Sequence, residues 1–318
     1  MNIVCSPSDT YIMQTGIMLK SLSINNYDID INIYVIIDKS LNSKYKEQLT
    51  NIVKDNPKHN IIFIGFDNQI LNKYNISFKN QHFRINTYYR LYLAEILPED
   101  IDKVLFLDGD IIIEKNLKDL WNSDISNYAI GCVIEQEIDN IQMYNRLHYP
   151  HELGYFNAGV LLINLRYWRN HSLSKYFTDF MEKYPERLLY HDQDIMNYVL
   201  KDQKKYLPLK YNVQSAFYYK QDLLKIDLLK YGQQIEDAKK DPYIIHYSSG
   251  FKPWYEDCCH PLQTEFIKYK NMTEWKDTPL IKQYLPNRPV KTMIGDILRF
   301  LRIKKPVQKL RSKYYFNI

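Results

Sequence analysis

Residues 103–113 read Lys-Val-Leu-Phe-Leu-Asp-Gly-Asp-Ile-Ile-Ile, a run in which two acids, Asp108 and Asp110, interrupt apolar residues. We interpret the run as a buried strand, along which side chains two residues apart point to the same face. Two carboxylates on one face can share a cation, and their burial without one would cost free energy. The alternative is a pair of loop carboxylates bonded to backbone amides. Gly109 leaves space where the backbone and a ligand approach each other.

Apolar and amphipathic segments alternate on both sides of this run. The predicted strands cover residues 1–5, 31–37, 60–66, 104–113, 128–134 and 160–164. The predicted helices cover residues 11–23, 44–54, 87–96, 117–121 and 168–184. This alternation is typical of an α/β fold with a mostly parallel sheet flanked by helices. Such a sheet binds its ligand beyond the carboxyl ends of the strands, so the motifs at those ends define the candidate site.

The composition is that of a globular protein, with 45% hydrophobic and 25% charged residues in a chain of 318. These values exclude a disordered, collagenous or coiled-coil chain. The sequence contains no Gly-x-Gly-x-x-Gly motif and no Gly-x-x-x-x-Gly-Lys-Ser/Thr motif, so no glycine-rich nucleotide loop is predicted. It shows no apolar run of about 18 residues, no secretory leader and no Cys-x-x-Cys pair. We therefore expect a cytoplasmic protein.

Positive charge is concentrated at the C-terminal end. The whole chain carries a net charge of +5, whereas residues 282–318 carry +9, which leaves −4 for residues 1–281. We divide the chain accordingly into a main α/β domain, residues 1–281, and a basic C-terminal tail, residues 282–318. Apolar residues at 294, 297, 298 and 301 follow the spacing of one helical face, which predicts a basic amphipathic helix on an anionic membrane surface. The alternative is a helix packed on the main domain.

A second motif covers residues 243–254, Tyr-Ile-Ile-His-Tyr-Ser-Ser-Gly-Phe-Lys-Pro-Trp. His246 ends a short apolar strand, and Lys252 follows on a loop. An imidazole with two carboxylates suits Mn²⁺ better than the all-oxygen shell that Mg²⁺ prefers. Lys252 could neutralise a phosphate. The alternative for His246 alone is a hydrogen-bonded core histidine.

Three further polar sites are less specific. Residues 190–197, Tyr-His-Asp-Gln-Asp-Ile-Met-Asn, place Asp192, Gln193 and Asp194 at the start of a predicted helix, where acids also complement the helix dipole. Asn157 lies at a strand start in Tyr-Phe-Asn-Ala-Gly-Val and alone indicates little. Arg90 lies on an otherwise apolar predicted helix, and the alternative to a functional role for Arg90 is a surface ion pair.

Taken together, these motifs resemble those of family-8 glycosyltransferases, which are retaining enzymes of the GT-A fold. The shared segments are Val-Leu-Phe-Leu-Asp-Gly-Asp, Tyr-Phe-Asn-Ala-Gly-Val-Leu-Leu-Ile-Asn-Leu, His-Asp-Gln-Asp-Ile and His-Tyr…Lys-Pro-Trp, in the same order over roughly residues 1–255. The chain looks most like bacterial lipopolysaccharide or lipooligosaccharide α-galactosyl- and α-glucosyltransferases. The resemblance implies a UDP-hexose donor (UDP-galactose or UDP-glucose), a glycan or glycolipid acceptor, and Mn²⁺, with Mg²⁺ as a possibility.

The resemblance also implies residue roles. The implied metal ligands are Asp108, Asp110 and His246. The implied contacts to the sugar or diphosphate are Arg90, Gly109, Asn157, Asp192, Gln193, Gly250 and Lys252. The implied uracil and ribose loop contains Ser6, Ser8, Asp9, Thr10 and Tyr11.

Two departures from the family pattern affect these assignments, and a third difference lies near the acceptor. Ser8 stands where the family often has an Asp, with Asp9 next to it, so either residue could contact uracil. Gly250 follows His246 by four residues rather than three. Glu135 stands where the family usually has an Asp near the acceptor.

The catalytic expectation rests on Gln193 and Asp194. The amide of Gln193 is a poor nucleophile, unlike the carboxylate of a retaining glycosidase. We therefore expect a front-face mechanism, in which the leaving phosphate accepts the acceptor's proton and Gln193 supports the oxocarbenium-like centre. Asp194 is expected to orient the sugar hydroxyls or the Gln193 amide.

Other functions remain as alternatives. An Asp-x-Asp metal-dependent phosphatase normally carries this motif after its first strand, and a nucleotidyltransferase typically has an N-terminal Gly- and Arg-rich loop that is missing here. A non-catalytic sugar-nucleotide-binding module would be supported by the loss of a metal ligand. Nucleic acid is not an expected partner, because the main domain is acidic. The predicted location is the inner face of the membrane, as a peripheral protein.

Overall fold

The computed structural model describes residues 1–38, 41–73 and 85–282. The predicted basic tail lies outside these residues except for Lys282, so its helix and the boundary before it stay predictions. No helix within the described ranges combines the length and the hydropathy that crossing a membrane requires. All four cysteines are free thiols.

The described strands form two sheets. They are β1 (Asn2–Cys5), β2 (Ile31–Ile37), β3 (His59–Gly65), β4 (Lys103–Leu107), β5 (Ile111–Ile113), β6 (Ile130–Ile134), β7 (Phe156–Asn164), β8 (Lys204–Tyr206), β9 (Val213–Gln214) and β10 (Ile244–His246). The larger sheet has the order β3-β2-β1-β4-β7-β6-β8, and the smaller one has the order β5-β10-β9. In the larger sheet only β7 runs antiparallel to its neighbours. The predicted mixed, mostly parallel sheet is therefore confirmed.

Helices cover both faces of the larger sheet. The described helices are α1 (Ile12–Asn25), α2 (Ser43–Val53), α3 (Asn68–Lys73), α4 (Leu93–Ile96), α5 (Lys118–Trp121), α6 (Ile141–Leu147), α7 (Leu165–Asn170), α8 (Leu173–Lys183), α9 (Asp192–Val199), α10 (Leu228–Lys240) and α11 (Gln263–Lys270). Side chains alternate across β1, so that Ile3 joins the apolar cluster of Leu19 in α1. Its neighbour Val4 joins the cluster of Trp168 in α7 on the opposite face. Burial of both faces explains the nearly continuous apolar strands.

The structure corrects the predicted strand over residues 104–113. β4 ends at Leu107 and β5 begins at Ile111 in the other sheet, so a turn at Asp108–Asp110 carries both acids. The acids are brought together by the turn and not by strand alternation. Gly109 in this turn lies against α1, because a Cβ there would come 2.7 Å from Thr15 Oγ1.

Two predicted helices are also corrected. The segment 168–184 contains the separate helices α7 and α8, and the break lies at Ser172, whose left-handed φ of 50° interrupts helical geometry. The segment 87–96 is mainly a 3-10 helix, Ile85–Tyr92, followed by the short α4. β7 begins at Phe156, earlier than predicted, which places Asn157 inside the start of that strand.

Candidate active site

A pocket of about 580 Å³ opens beyond the carboxyl ends of β1 and β4. Its wall contains most of the residues predicted from sequence: Ser6, Ser8, Tyr11, Arg90, Asp108, Gly109, Asp110, Glu135, Asn157, Asp192 and Gln193. Six segments that are separate in the sequence therefore meet at one place, as expected for the strand ends of an α/β sheet.

The two acids of the turn lie beside His246. One ligand atom from each of Asp108, Asp110 and His246 falls within 4.8 Å of the others. Strand pairing explains this proximity, since His246 of β10 lies opposite Ile111 of β5, the residue after Asp110. The backbone N–H of Tyr247 also donates to the Asp110 carbonyl at 3.0 Å.

This donor set fits a divalent cation. Two carboxylates and an imidazole are ligands suited to Mn²⁺ or a similar transition metal. His246 is 4% exposed, and its Nε2 atom lies 3.4 Å from Oδ1 of Asp110. Its other ring nitrogen, Nδ1, lies 2.9 Å from Oδ1 of the buried Asn212, a residue that no sequence motif indicated.

Lys252 reaches the same cluster from the loop after β10. Its ammonium donates to Oδ2 of Asp110 and to the carbonyl of Tyr247, each at 2.5 Å. Burial favours the neutral Asp110 carboxyl, but the nearby Lys252 and His246 outweigh burial and hold the pKa of Asp110 below its usual value. The site therefore places the Lys252 ammonium next to an ionised carboxylate of the candidate metal cluster.

Arg90 joins two of the acids. Its Nη2 donates to Asp108 Oδ1 at 2.7 Å, and its Nε lies 2.9 Å from Asp192 Oδ2. Its Nη1 donates to the carbonyl of Ala158 at 2.7 Å. The surface ion pair considered from the sequence is wrong, because Arg90 is buried. Burial raises the pKa of Asp192 to about 7, although Arg90 acts in the opposite direction.

Gln193 is held at both ends of its amide. Its Oε1 accepts from the backbone N–H of Ala158 at 2.9 Å, and its Nε2 donates to Glu135 Oε2 at 3.0 Å. The same carboxylate oxygen accepts from Asn157 Nδ2 at 2.9 Å. Burial raises the pKa of Glu135, and the two amide donors oppose this shift. The Gln193 amide is therefore fixed on the pocket wall.

Asp194 does not lie on the pocket wall. Its fully buried carboxylate accepts from both Nη atoms of Arg146, at 2.7 and 2.8 Å, and from the Tyr155 hydroxyl at 2.7 Å. It also accepts from the backbone N–H groups of Leu189 and Tyr190, at 2.7 and 2.6 Å. We therefore revise the role expected for Asp194: its contacts fix the loop that forms the pocket wall, and no contact orients the Gln193 amide.

The loop after β1 reaches the pocket through part of its residues. Ser6, Ser8 and Tyr11 line the pocket, whereas Asp9 and Thr10 are exposed beside it. This geometry favours Ser8 over Asp9 as a contact to a ligand in the pocket. Gly250 is also exposed, and a Cβ added to it would meet no atom within 4 Å.

Known proteins resemble this chain over most of its length. The family model "Glycosyl transferase family 8" matches residues 2–258. General stress protein A of Bacillus subtilis (strain 168) is 27% identical over 292 residues, which cover 89% of this chain and 98% of that protein. The lipopolysaccharide 1,2-glucosyltransferase of Escherichia coli (strain K12) is 24% identical over 279 residues, which cover 87% of this chain and 79% of that protein.

The fold also has solved relatives. The crystal structure of the galactosyltransferase LgtC, in complex with donor and acceptor sugar analogs, superposes with a TM-score of 0.72 at 26% identity and covers 86% of this chain and 96% of LgtC. The glycosyltransferase GlyE of Streptococcus pneumoniae TIGR4 shares the fold, with a TM-score of 0.63. The mixed sheet with its flanking helices is thus the GT-A fold. With its family match extending over residues 2–258, the chain belongs to glycosyltransferase family 8.

Proposed function

We propose that this protein is a retaining hexosyltransferase that moves galactose or glucose from a UDP-sugar to a glycan or glycolipid acceptor. The observation that carries the proposal is the cluster of Asp108, Asp110 and His246, in which both acids line the pocket. All three candidate ligands are present, which favours an enzyme over a non-catalytic sugar-nucleotide-binding module. Family membership favours glycosyl transfer over the Asp-x-Asp phosphatase.

The donor chemistry explains the charges of the site. Cleavage of a sugar–diphosphate bond leaves an anion, and Mn²⁺ or Mg²⁺ would supply Lewis-acid stabilisation when held by Asp108, Asp110 and His246. Lys252 would add a fixed positive charge beside the same anion, and it needs only to exchange its contact with Asp110 for a phosphate oxygen. Ser6, Ser8 and Tyr11 would hold the uridine, since they line the pocket next to Asp108.

Gln193 would support the anomeric centre. Its amide is held by Ala158 and Glu135, and it lies on the pocket wall with Asp192 and Asn157. An amide does not form the glycosyl ester that a retaining glycosidase uses. The acceptor hydroxyl would therefore attack from the face that the diphosphate leaves, and its proton would pass to a phosphate oxygen. The α-configuration of the donor would be kept.

The relatives and the predicted tail support the proposed acceptor and location. Relatives named for lipopolysaccharide glucosyl and galactosyl transfer suggest an acceptor in bacterial surface polysaccharide or lipopolysaccharide synthesis. A glycolipid acceptor lies at a membrane, and a basic amphipathic tail would bring the enzyme to the anionic inner face. The protein would then be peripheral and cytoplasmic.

A panel of UDP-sugars tests the proposal. The purified protein is incubated with Mn²⁺ and UDP-galactose, UDP-glucose, UDP-N-acetylglucosamine or p-nitrophenyl phosphate, and UDP or phosphate release is measured. We expect UDP release from UDP-galactose or UDP-glucose. Release from p-nitrophenyl phosphate alone would instead assign a phosphatase, and binding of a UDP-hexose without release in the presence of acceptor sugars would assign a binding module.

A further inference from the structure

Asn212 lies between the candidate metal cluster and Asn157 on the pocket wall. It is fully buried, in the turn between the 3-10 helix Leu209–Tyr211 and β9. Its Oδ1 lies 2.9 Å from His246 Nδ1, and its Nδ2 lies 2.8 Å from Asn157 Oδ1. One amide therefore contacts a candidate metal ligand at one end and a residue of the pocket wall at the other.

The backbone determines which way both asparagine amides face. The N–H of Gly159 can only donate, and it lies 2.9 Å from Asn157 Oδ1, so that atom is an acceptor. The atom of Asn212 that meets Asn157 Oδ1 must then be its NH₂ group. The remaining Asn212 atom, its oxygen, faces the ring of His246. A carbonyl oxygen in this position requires a hydrogen on His246 Nδ1.

This assignment sets the chemistry of the other ring nitrogen. With the hydrogen on Nδ1, a neutral His246 presents the lone pair of Nε2 to Asp110 Oδ1, 3.4 Å away. Two acceptors that face each other in a buried place are unfavourable unless a proton or a metal cation lies between them. Histidine ligands of metals are commonly held in this way, through a hydrogen bond from the second ring nitrogen.

We propose that Asn212 is a positioning residue, which holds His246 as the Nδ1–H tautomer so that Nε2 is available to a divalent cation at Asp108 and Asp110. Its second bond, to Asn157, continues through Glu135 to Gln193 and links the cation cluster to the group at the sugar. The proposal rests on the metal role in the proposed function.

A purely structural role makes different predictions. An asparagine that only satisfies buried polar groups would lower the free energy of unfolding when it is truncated, with no effect on the tautomer of His246 or on metal affinity. Asn26 provides the matched control, because it is equally buried and bonds through both ends of its amide, to Leu117 N and Leu22 O. Asn26 lies outside the residues of the pocket wall.

The experiment compares wild type, Asn212→Ala, Asn212→Asp and Asn26→Ala. Proton–nitrogen NMR of the metal-free proteins at neutral pH reports the His246 tautomer, and electron paramagnetic resonance of free Mn²⁺ gives the dissociation constant. We expect Nδ1–H in wild type, loss of that single tautomer in Asn212→Ala, and a Mn²⁺ dissociation constant about 10- to 100-fold higher. Asn26→Ala should match wild type in both. Asn212→Asp keeps an oxygen toward Nδ1 and should restore the tautomer.

Two results would overturn the proposal. The first is the Nε2–H tautomer of His246 in the wild type. The second is that the wild type binds Mn²⁺ and that Asn212→Ala binds it with the same dissociation constant. A third outcome separates the two proposals: the wild type has the Nδ1–H tautomer, Asn212→Ala lacks it, and the wild type binds no Mn²⁺. This outcome would contradict the metal role in the proposed function and still support the control of the tautomer by Asn212. The wild-type tautomer decides the matter even if the alanine variant fails to fold.

Discussion

The imidazole of His246 lies directly against the backbone of Gly159 in β7. A Cβ atom on Gly159 would come 2.3 Å from Cε1 and 2.9 Å from Nδ1 of the ring, and 3.0 Å from Asp108 Oδ2. No side chain can occupy that space without moving the ring or the acid. Gly159 therefore permits the close approach between β7 and the candidate metal cluster.

Gly159→Ala should displace His246, because Asn212 and Asp110 leave the ring little freedom to move. We expect the variant to lose most of its Mn²⁺ affinity and about 1–3 kcal/mol of unfolding free energy, as for other overpacked sites.

Gly232→Ala is the matched control, since its Cβ would meet only Leu228 Cβ, at 3.8 Å, within α10. That control should be as stable as wild type or up to about 1 kcal/mol more stable. Urea unfolding and Mn²⁺ titration check both variants, and a Gly159→Ala protein with wild-type metal affinity would contradict this reading.

Gln193→Ala tests the group placed at the anomeric centre. We expect the rate of hexose transfer to fall about 100-fold or more, as when one preorganised polar group is removed from a reacting centre. The dissociation constant of UDP should stay near the wild-type value, because Gln193 would face the sugar and not the uridine. Steady-state kinetics and UDP titration separate the two effects.

The linkage of the product provides a second check on the same assignment. Transfer with retention from an α-configured donor gives an α-linked hexose, which the coupling constant of the anomeric proton identifies. A β-linked product would overturn both the retaining mechanism and the role of Gln193.

His260 should make the stability of the fold depend on pH. Its ring is 3% exposed, lies between Tyr218 and Tyr247, and accepts from the backbone N–H of Leu262 at Nδ1. Burial, with a smaller effect of Lys252, lowers the pKa of His260 from 6.5 to about 3. Because the unfolded chain binds the proton more tightly, this contribution to stability is complete above pH 6.5 and is lost as the pH falls toward 3.

The test compares wild type with His260→Phe in urea unfolding between pH 8 and pH 4. Between pH 6.5 and pH 5.5 the wild type should lose about 1 kcal/mol more than the variant. A difference between the two proteins that stays constant with pH would show that the imidazole is not held neutral by burial.

The mostly parallel sheet and much of the candidate site could be predicted because their signals are local. β1 and β2 are short, mainly apolar segments that contain Val and Ile, as expected for parallel strands buried on both faces. The pair Asp108 and Asp110 was visible because ionised groups rarely interrupt such a run. Their arrangement was predicted wrongly, since the turn between β4 and β5 depends on a second sheet that local spacing does not reveal.

Residues whose role comes from long-range contacts gave no signal in the sequence. Asn212 acts through pairings with His246 and Asn157, which are 34 and 55 residues away. In the sequence Asp194 is typical of an acid at the start of a helix. Its contacts with Arg146 and Tyr155 form only in the folded chain, so the sequence did not indicate them. Gly159 did carry a signal that we missed. A glycine inside a strand often marks the close approach of another group, here the ring of His246.

The basic tail can be tested although it lies outside the described residues. Truncation after Tyr284 removes the predicted amphipathic helix and most of the positive charge of the tail. Each basic residue near an anionic surface contributes about 1 kcal/mol of attraction at low salt. We expect the truncated protein to lose co-sedimentation with anionic liposomes and to keep UDP-sugar hydrolysis. A full-length protein that ignores these liposomes at low salt would show instead that the tail is structural.

The metal dependence of UDP release tests the central claim most directly. The wild type and Asp108→Asn are treated with chelator, and UDP release from the preferred UDP-hexose is measured before and after excess Mn²⁺ is added. Circular dichroism and urea unfolding confirm that the variant is folded. We predict no release in chelator, recovery of the wild type with Mn²⁺, and little or no recovery of Asp108→Asn. Full turnover of the wild type in chelator, or full recovery of Asp108→Asn, would contradict a catalytic cation held by Asp108, Asp110 and His246.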